Sequence, residues 1–243
     1  MAINVDTVYK TVLLLLNKEQ RGYMTPTEFN SVAAQVQLEV FEKYFEDINQ
    51  QLRVPQADVD YADRVASIDE KMSVFKRFQN PTFNVAKYFD LSVITDLYKI
   101  GTVVYNDSTG NPVELERLSR TNFYNIQRSQ LTASTKSFPT YLYENNRLYV
   151  SPAAINVTGD ITVDYLKKPN DPKWNFTIGT LGQYNFTSTT NANAPSVDFE
   201  LMSSEQTTVI LKVLLYAGLI IEDPSVIQVA AQQVQTQENN SKS

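Results

Sequence analysis

The side chains able to do chemistry in this chain are carboxylates, lysines, tyrosines and serines, because its 243 residues include no His and no Cys. That composition excludes a Ser-His-Asp triad, a Cys nucleophile, a His general base and any zinc site built on imidazole or thiolate. Two carboxylate groupings remain to be weighed. Asp164 and Glu144, with Tyr141 and Tyr165 beside them in sequence, could form a glycan-binding or glycan-hydrolysing module, since glycoside hydrolysis needs only two carboxyl groups. Asp58, Asp60 and Asp63 have the opening spacing of a calcium loop, but no Gly and no distal Glu follow at loop positions. Acidic residues also suit a helix N-terminus, so neither metal nor cofactor is expected. The phosphate loop, the dinucleotide fingerprint and the Gly-x-Ser-x-Gly elbow are all missing, and the chain reads as a non-enzyme.

The stretch from Phe138 to Trp174 points to binding instead. Tyr141-Leu142-Tyr143 and Leu148-Tyr149-Val150 flank Asn145-Asn146, and Asn tolerates the positive φ of a primed hairpin turn. A third run, Ile161 to Tyr165, leads into Lys167-Lys168-Pro169-Asn170-Asp171-Pro172-Lys173-Trp174. Pro169 and Pro172 fix φ and remove donors, which ends strand pairing and holds the only Trp in a set geometry. Trp and Tyr dominate binding hot spots, so Tyr165, Lys167, Lys168, Pro169, Pro172 and Trp174 form a candidate subunit contact. The competing reading has Trp174 capping the β core.

The elements that must position these residues follow from periodicity. Residues 4–80 read as helical, with Gly22 ending the first helix and Thr25-Pro26-Thr27-Glu28 opening the second as a capping box with Pro at the first helical position. Phe29, Val32, Val36, Val40 and Tyr44 give that helix a wide apolar face. Lys71, Lys76 and Arg77 read as charges near the C-terminus of the third helix, where the macrodipole favours them, with a portal or DNA contact as the alternative. From about Asn80 to Leu201 the pattern becomes short strands, including a pair at 175–178 and 184–188 and one short helix after Ser119. Helix returns at Ser203 or Ser204, and Asp223-Pro224 opens a last one.

The fold class expected is α+β: a helical bundle of residues 1–80 and 202–238, an inserted antiparallel β domain at 81–201, and a disordered tail at 239–243. A net charge of −6 argues against tight nucleic-acid binding. No apolar run reaches the roughly 20 residues of a membrane span, and the N-terminus lacks the pattern of a signal peptide, so synthesis in a cytoplasm is expected. Five Asn-x-Ser/Thr sequons read as compositional in a chain rich in Asn and Thr.

The order of several segments resembles the head-to-tail connector proteins of short-tailed phages, the tail tubular protein A and adaptor group, and in particular the ring proteins of crAss-like phages. The segments are Val8-Tyr9 through Asn17 to Tyr23, Thr25 to Asn30, Asp96 to Gly101, Arg117 to Tyr124, Phe138 to Tyr141, Arg147 to Pro152 and Tyr165 to Pro169. The resemblance covers residues 5 to about 174 and rests on their order, since no single motif is diagnostic. It implies a structural virion protein in a twelve-fold ring of identical copies beneath the portal. Its partners would be the portal and other connector or tail proteins, with genomic DNA passing through and no membrane involved. It implies no catalytic residues. A tail or capsid accessory subunit is the nearest alternative.

Overall fold

The computed structural model describes residues 2–18, 23–51, 59–107, 111–191, 194–221 and 224–242. Its elements, in chain order, are α1 (Val5–Lys18), α2 (Pro26–Gln51), α3 (Val59–Ser73), β1 (Lys76–Gln79), β2 (Thr82–Asn84), β3 (Tyr88–Asp90), β4 (Leu97–Asn106), β5 (Pro112–Glu114), β6 (Glu116–Arg117), α4 (Arg120–Ile126), β7 (Thr140–Glu144), β8 (Arg147–Ser151), β9 (Ile161–Lys167), β10 (Phe176–Ile178), β11 (Tyr184–Phe186), α5 (Gln206–Ile221) and α6 (Pro224–Lys242). The class is α+β. Two compact units divide the chain: residues 1–74 with 169–243, and residues 75–168.

In the first unit, α2 starts as its sequence dictates. The Thr25 N–H donates to Glu28 Oε2 (2.8 Å) and the Glu28 N–H to Thr25 Oγ1 (3.3 Å), so the two residues satisfy each other's orphan donors. One face of α2 buries Phe29, Val32, Ala33, Val36, Val40 and Phe41, while α1 buries Val5, Val8, Tyr9, Val12 and Leu16. Helix α5 packs against α1, α2 and α6, and α2 against α3. Val209, Val213 and Ala217, four residues apart on α5, are fully buried. Polar contacts tie the segments together: Tyr216 donates its hydroxyl to Glu39, and Lys212 lies 3.3 Å from the same carboxylate.

Replacing Thr25 by Ala is expected to lower stability by about 1 kcal/mol, the usual loss of an N-cap, measurable by denaturant unfolding. The Thr25 N–H and hydroxyl hold the Glu28 carboxyl below its ordinary range. A carboxylate whose folded value is depressed stabilises above its unfolded range and loses that contribution as pH falls through the folded value. The stability gap between the native chain and Glu28→Gln is therefore expected to close toward acid pH.

The second unit holds two sheets, of strand order β1-β9-β4-β5 and β2-β3-β8-β7-β6. All pairings in the first are antiparallel, and β6 with β7 is parallel in the second. Phe89, Tyr141 and Leu148 from one sheet and Val103, Ile161, Val163 and Tyr165 from the other join one buried apolar cluster. The β7-β8 hairpin turns at Asn145 and Asn146 with φ of 49° and 55°, the paired left-handed residues of a type I′ turn.

Three boundaries differ from the sequence reading. Helix α3 stops at Ser73, so Lys76 and Arg77 belong to edge strand β1 and not to a helix C-terminus; Lys71 does sit in the last turn, 2.7 Å from Glu205. The β-rich unit runs 75–168, not 81–201, and hairpin β10-β11 belongs with the helices because Trp174 anchors it there. Helix α6 runs to Lys242, through residues expected to be a disordered tail, in a segment rich in the good helix formers Ala and Gln. The expected helix end at Gly22 and cap at Asp223 lie outside the described residues.

Candidate interaction surface

The proline corner turns inward. Tyr165, Lys167, Pro169, Pro172 and Trp174 are buried within their own chain, and Lys168 alone of the six is exposed. Strand β9 alternates buried and outward residues, which sends Tyr165 and Lys167 to the core side, where the Tyr165 hydroxyl donates to Asp96 Oδ1 (3.1 Å). Desolvation and that carboxylate push the Tyr165 phenol up. Of the six residues proposed as a subunit contact, five are thus enclosed within their own chain, and Lys168 is the outward member.

Trp174 shows what the joint is for. Only 4% exposed, its ring lies 4.6 Å from that of Tyr9, tilted by 46°, and Tyr9 lies 4.8 Å from Phe29. Its indole N–H donates to Asp6 Oδ1 (3.0 Å), its backbone N–H to Asn30 Oδ1 (2.7 Å), and its carbonyl accepts from Asn30 Nδ2 (3.1 Å). The ring therefore packs into the α1-α2 core. Burial pushes the Tyr9 phenol up, and its hydroxyl donates to the Met24 carbonyl (3.0 Å).

Trp174 also carries hairpin β10-β11, its ring 5.9 Å from Phe176 and 5.6 Å from Phe186. Phe176 pairs with Phe186 and Ile178 with Tyr184, so alternation puts these four on one face. The Phe176 and Tyr184 rings meet edge to face at 4.8 Å. Toward the tip this face leaves the core: Ile178 is 68% exposed and Leu181, in the turn, 91%. Single apolar residues on a surface need no explanation, and here Ile178 and Leu181 stand exposed at the outer end of a hairpin whose base packs on a buried Trp.

The signal for this hairpin was present in the sequence but unused. From Trp174 to Val197, 24 consecutive residues include no Asp, Glu, Lys or Arg, in a chain that is 20% charged. Depletion of charge is what distinguishes the centre of a protein interface from ordinary surface.

The carboxylate groupings are placed differently. Tyr141 and Tyr165 are buried in the second unit's core, Asp164 points outward from β9, and Glu144 lies on β7 in the other sheet, 3.6 Å from Arg120. An open recess in that unit is lined by Glu114, Glu116, Arg117 and Tyr141, without Glu144 or Asp164. Asp58 lies outside the described residues, and no cluster of three or more His, Cys, Asp or Glu able to hold a metal occurs among them. No helix among the described residues is long and apolar enough to cross a membrane. Compared with models of protein families, the chain matches none, and a search of curated proteins found no significant match.

Proposed function

We propose that the chain is a structural subunit of a phage head-to-tail connector, assembling with identical copies into a twelve-fold ring below the portal. The ring extends the DNA channel and presents a platform to tail components, and the protein works in the virion after synthesis in the host cytoplasm. In this reading the N- and C-terminal helices form a bundle and the β unit is an insertion that reaches toward partners. The resemblance in segment order supplies the class. The observation that carries the reading is the uncharged hairpin β10-β11, whose apolar face continues outward from Trp174 with no cover over Ile178 and Leu181 from its own chain. A two-stranded hairpin is marginal alone, and burial of its open face against a neighbouring copy would stabilise it.

The test is Leu181→Asp combined with Ile178→Asp. Both positions are exposed, so the chain is expected to keep its circular dichroism and unfolding midpoint while losing assembly on the portal, read by electron microscopy and sedimentation. Unchanged rings would remove the hairpin from the contact.

A further inference from the structure

Hairpin β10-β11 has open edges as well as an open face. The Gly179 N–H donates to the Gln183 carbonyl (2.9 Å) and the Thr187 N–H to the Asn175 carbonyl (2.9 Å). Bonded pairs alternate along an antiparallel ladder, so Thr177 opposite Asn185 is the bonded pair between these two. The intervening residues, Phe176 and Ile178 on β10 and Tyr184 and Phe186 on β11, therefore turn their N–H and C=O groups outward. The Phe176 N–H is held by Asn175 Oδ1 (3.1 Å), and the other outward groups have no hydrogen-bond partner among the described residues.

An exposed strand edge is a template for another strand, and proteins guard it with charge, Pro or a covering group. The two larger sheets are guarded in this way. Lys76 stands on edge strand β1, Pro112 opens β5, Arg117 ends β6, and the Phe83 N–H of β2 donates to Thr158 Oγ1 (3.0 Å). Neither β10 nor β11 carries a charge or a Pro, and β11 is exposed along its length. At three residues each they offer few bonds, which suits a partner already held alongside and not a chance encounter.

A second copy in a ring meets that condition. Pairing β11 with β11 across a two-fold axis would leave both β10 edges open and stop at two copies. Pairing β11 of one copy with β10 of the next repeats head to tail, as a closed ring requires. Resting on the ring reading above, we infer that neighbouring copies join by strand addition, with Tyr184 of one copy opposite Ile178 of the next and Phe186 opposite its Phe176. In this antiparallel register the Tyr184 N–H donates to the Ile178 carbonyl, the Ile178 N–H to the Tyr184 carbonyl, and the Phe186 N–H to the Phe176 carbonyl. The Phe176 N–H, already held by Asn175, needs no new partner. Opposite residues share a face, so the register also sets Tyr184 beside the exposed Ile178 and continues one apolar face from copy to copy. With two strands per copy spaced about 4.8 Å, a twelve-fold ring closes a belt about 37 Å across before any tilt, wide enough for duplex DNA to pass.

The chain has no Cys, so engineered thiols report on one contact at a time. In the inferred register Thr177 of one copy lies opposite Asn185 of the next as a non-bonded pair, with Cα atoms about 4.5 Å apart, within the span of a disulfide. Full-length Thr177→Cys and Asn185→Cys chains, each altered at an exposed position, are mixed, alone and with the portal, and oxidised. Disulfides are mapped by mass spectrometry, and electron microscopy follows the rings. Disulfide dimers are expected from the mixture and from neither variant by itself, nor from Asn185→Cys mixed with Leu131→Cys, an exposed position in the other unit. Rings that form without the link between positions 177 and 185 overturn this inference and leave the ring reading standing. So do dimers of Asn185→Cys by itself, which would mean two-fold pairing of β11, and links to Leu131→Cys at equal yield, which would mean random encounter. Native chains that associate neither alone nor on the portal overturn both.

Discussion

Replacing Trp174 by Ala is expected to destabilise the first unit by about 3–5 kcal/mol, the range for removing a large buried aromatic. The ring packs against Tyr9 and against Phe176 and Phe186 of the hairpin, so its loss opens a cavity lined by aromatics from two segments. The indole N–H bond to Asp6 Oδ1 goes as well, adding about 1 kcal/mol. Trp174→Phe separates the two effects: it keeps most of the packing, loses the hydrogen bond, and is expected to recover more than half of the stability. Urea unfolding followed by circular dichroism measures both. A Trp174→Ala chain as stable as the native one would mean that the indole is not the joint between hairpin and helices. Self-association should weaken in proportion to the hairpin's loss of order, which makes the effect on assembly indirect.

Replacing Gln37 by Leu is expected to cost about 2–4 kcal/mol, although the side chains are similar in size. Gln37 is 1% exposed on α2 and clamps two other segments with one amide: its Nε2 donates to the Asn170 carbonyl (2.7 Å) and its Oε1 accepts from the Glu200 N–H (2.9 Å). Asn170 returns to Glu200 through its own N–H (3.0 Å) and its Nδ2 (3.1 Å). Leucine would strand a backbone donor and a backbone acceptor beside an apolar group, and each stranded group carries a penalty of about 1–3 kcal/mol. The double-mutant cycle of Gln37→Leu with Glu200→Ala should show strong coupling, because the 170 and 200 segments share this clamp. Additive effects would argue that the two segments hold α2 independently.

These two residues also mark where the sequence could and could not be read. Thr25-Pro26-Thr27-Glu28 announced the start of α2 because a capping box is a purely local device, and Asn145-Asn146 announced the β7-β8 turn for the same reason. The apolar stripe on α2 was legible through its period. Gln37 was not, since a buried amide looks like a surface one until its distant partners, 133 and 163 residues away in sequence, are known. Trp174 is as apt in sequence for a subunit contact as for a core, and it is buried within its own chain. Large aromatics anchor cores and interfaces alike, and only burial separates the two. The same ambiguity holds for β10-β11: its strand pattern resembles its neighbours', but the packing of Phe176 and Phe186 on Trp174 groups it with the helices. Lys76 and Arg77 were read as helix-terminal charges because a four-residue strand following directly on a helix has too little length to show a period of two.

The most direct measurement is electron microscopy of the full-length protein mixed with its portal, and of virions carrying it. The account predicts a closed ring of identical copies coaxial with the portal channel, with the β10-β11 hairpins lying at the contacts between neighbours. A protein that stays monomeric beside the portal and is found elsewhere in the particle, or that binds and cleaves glycans as a monomer, would contradict it.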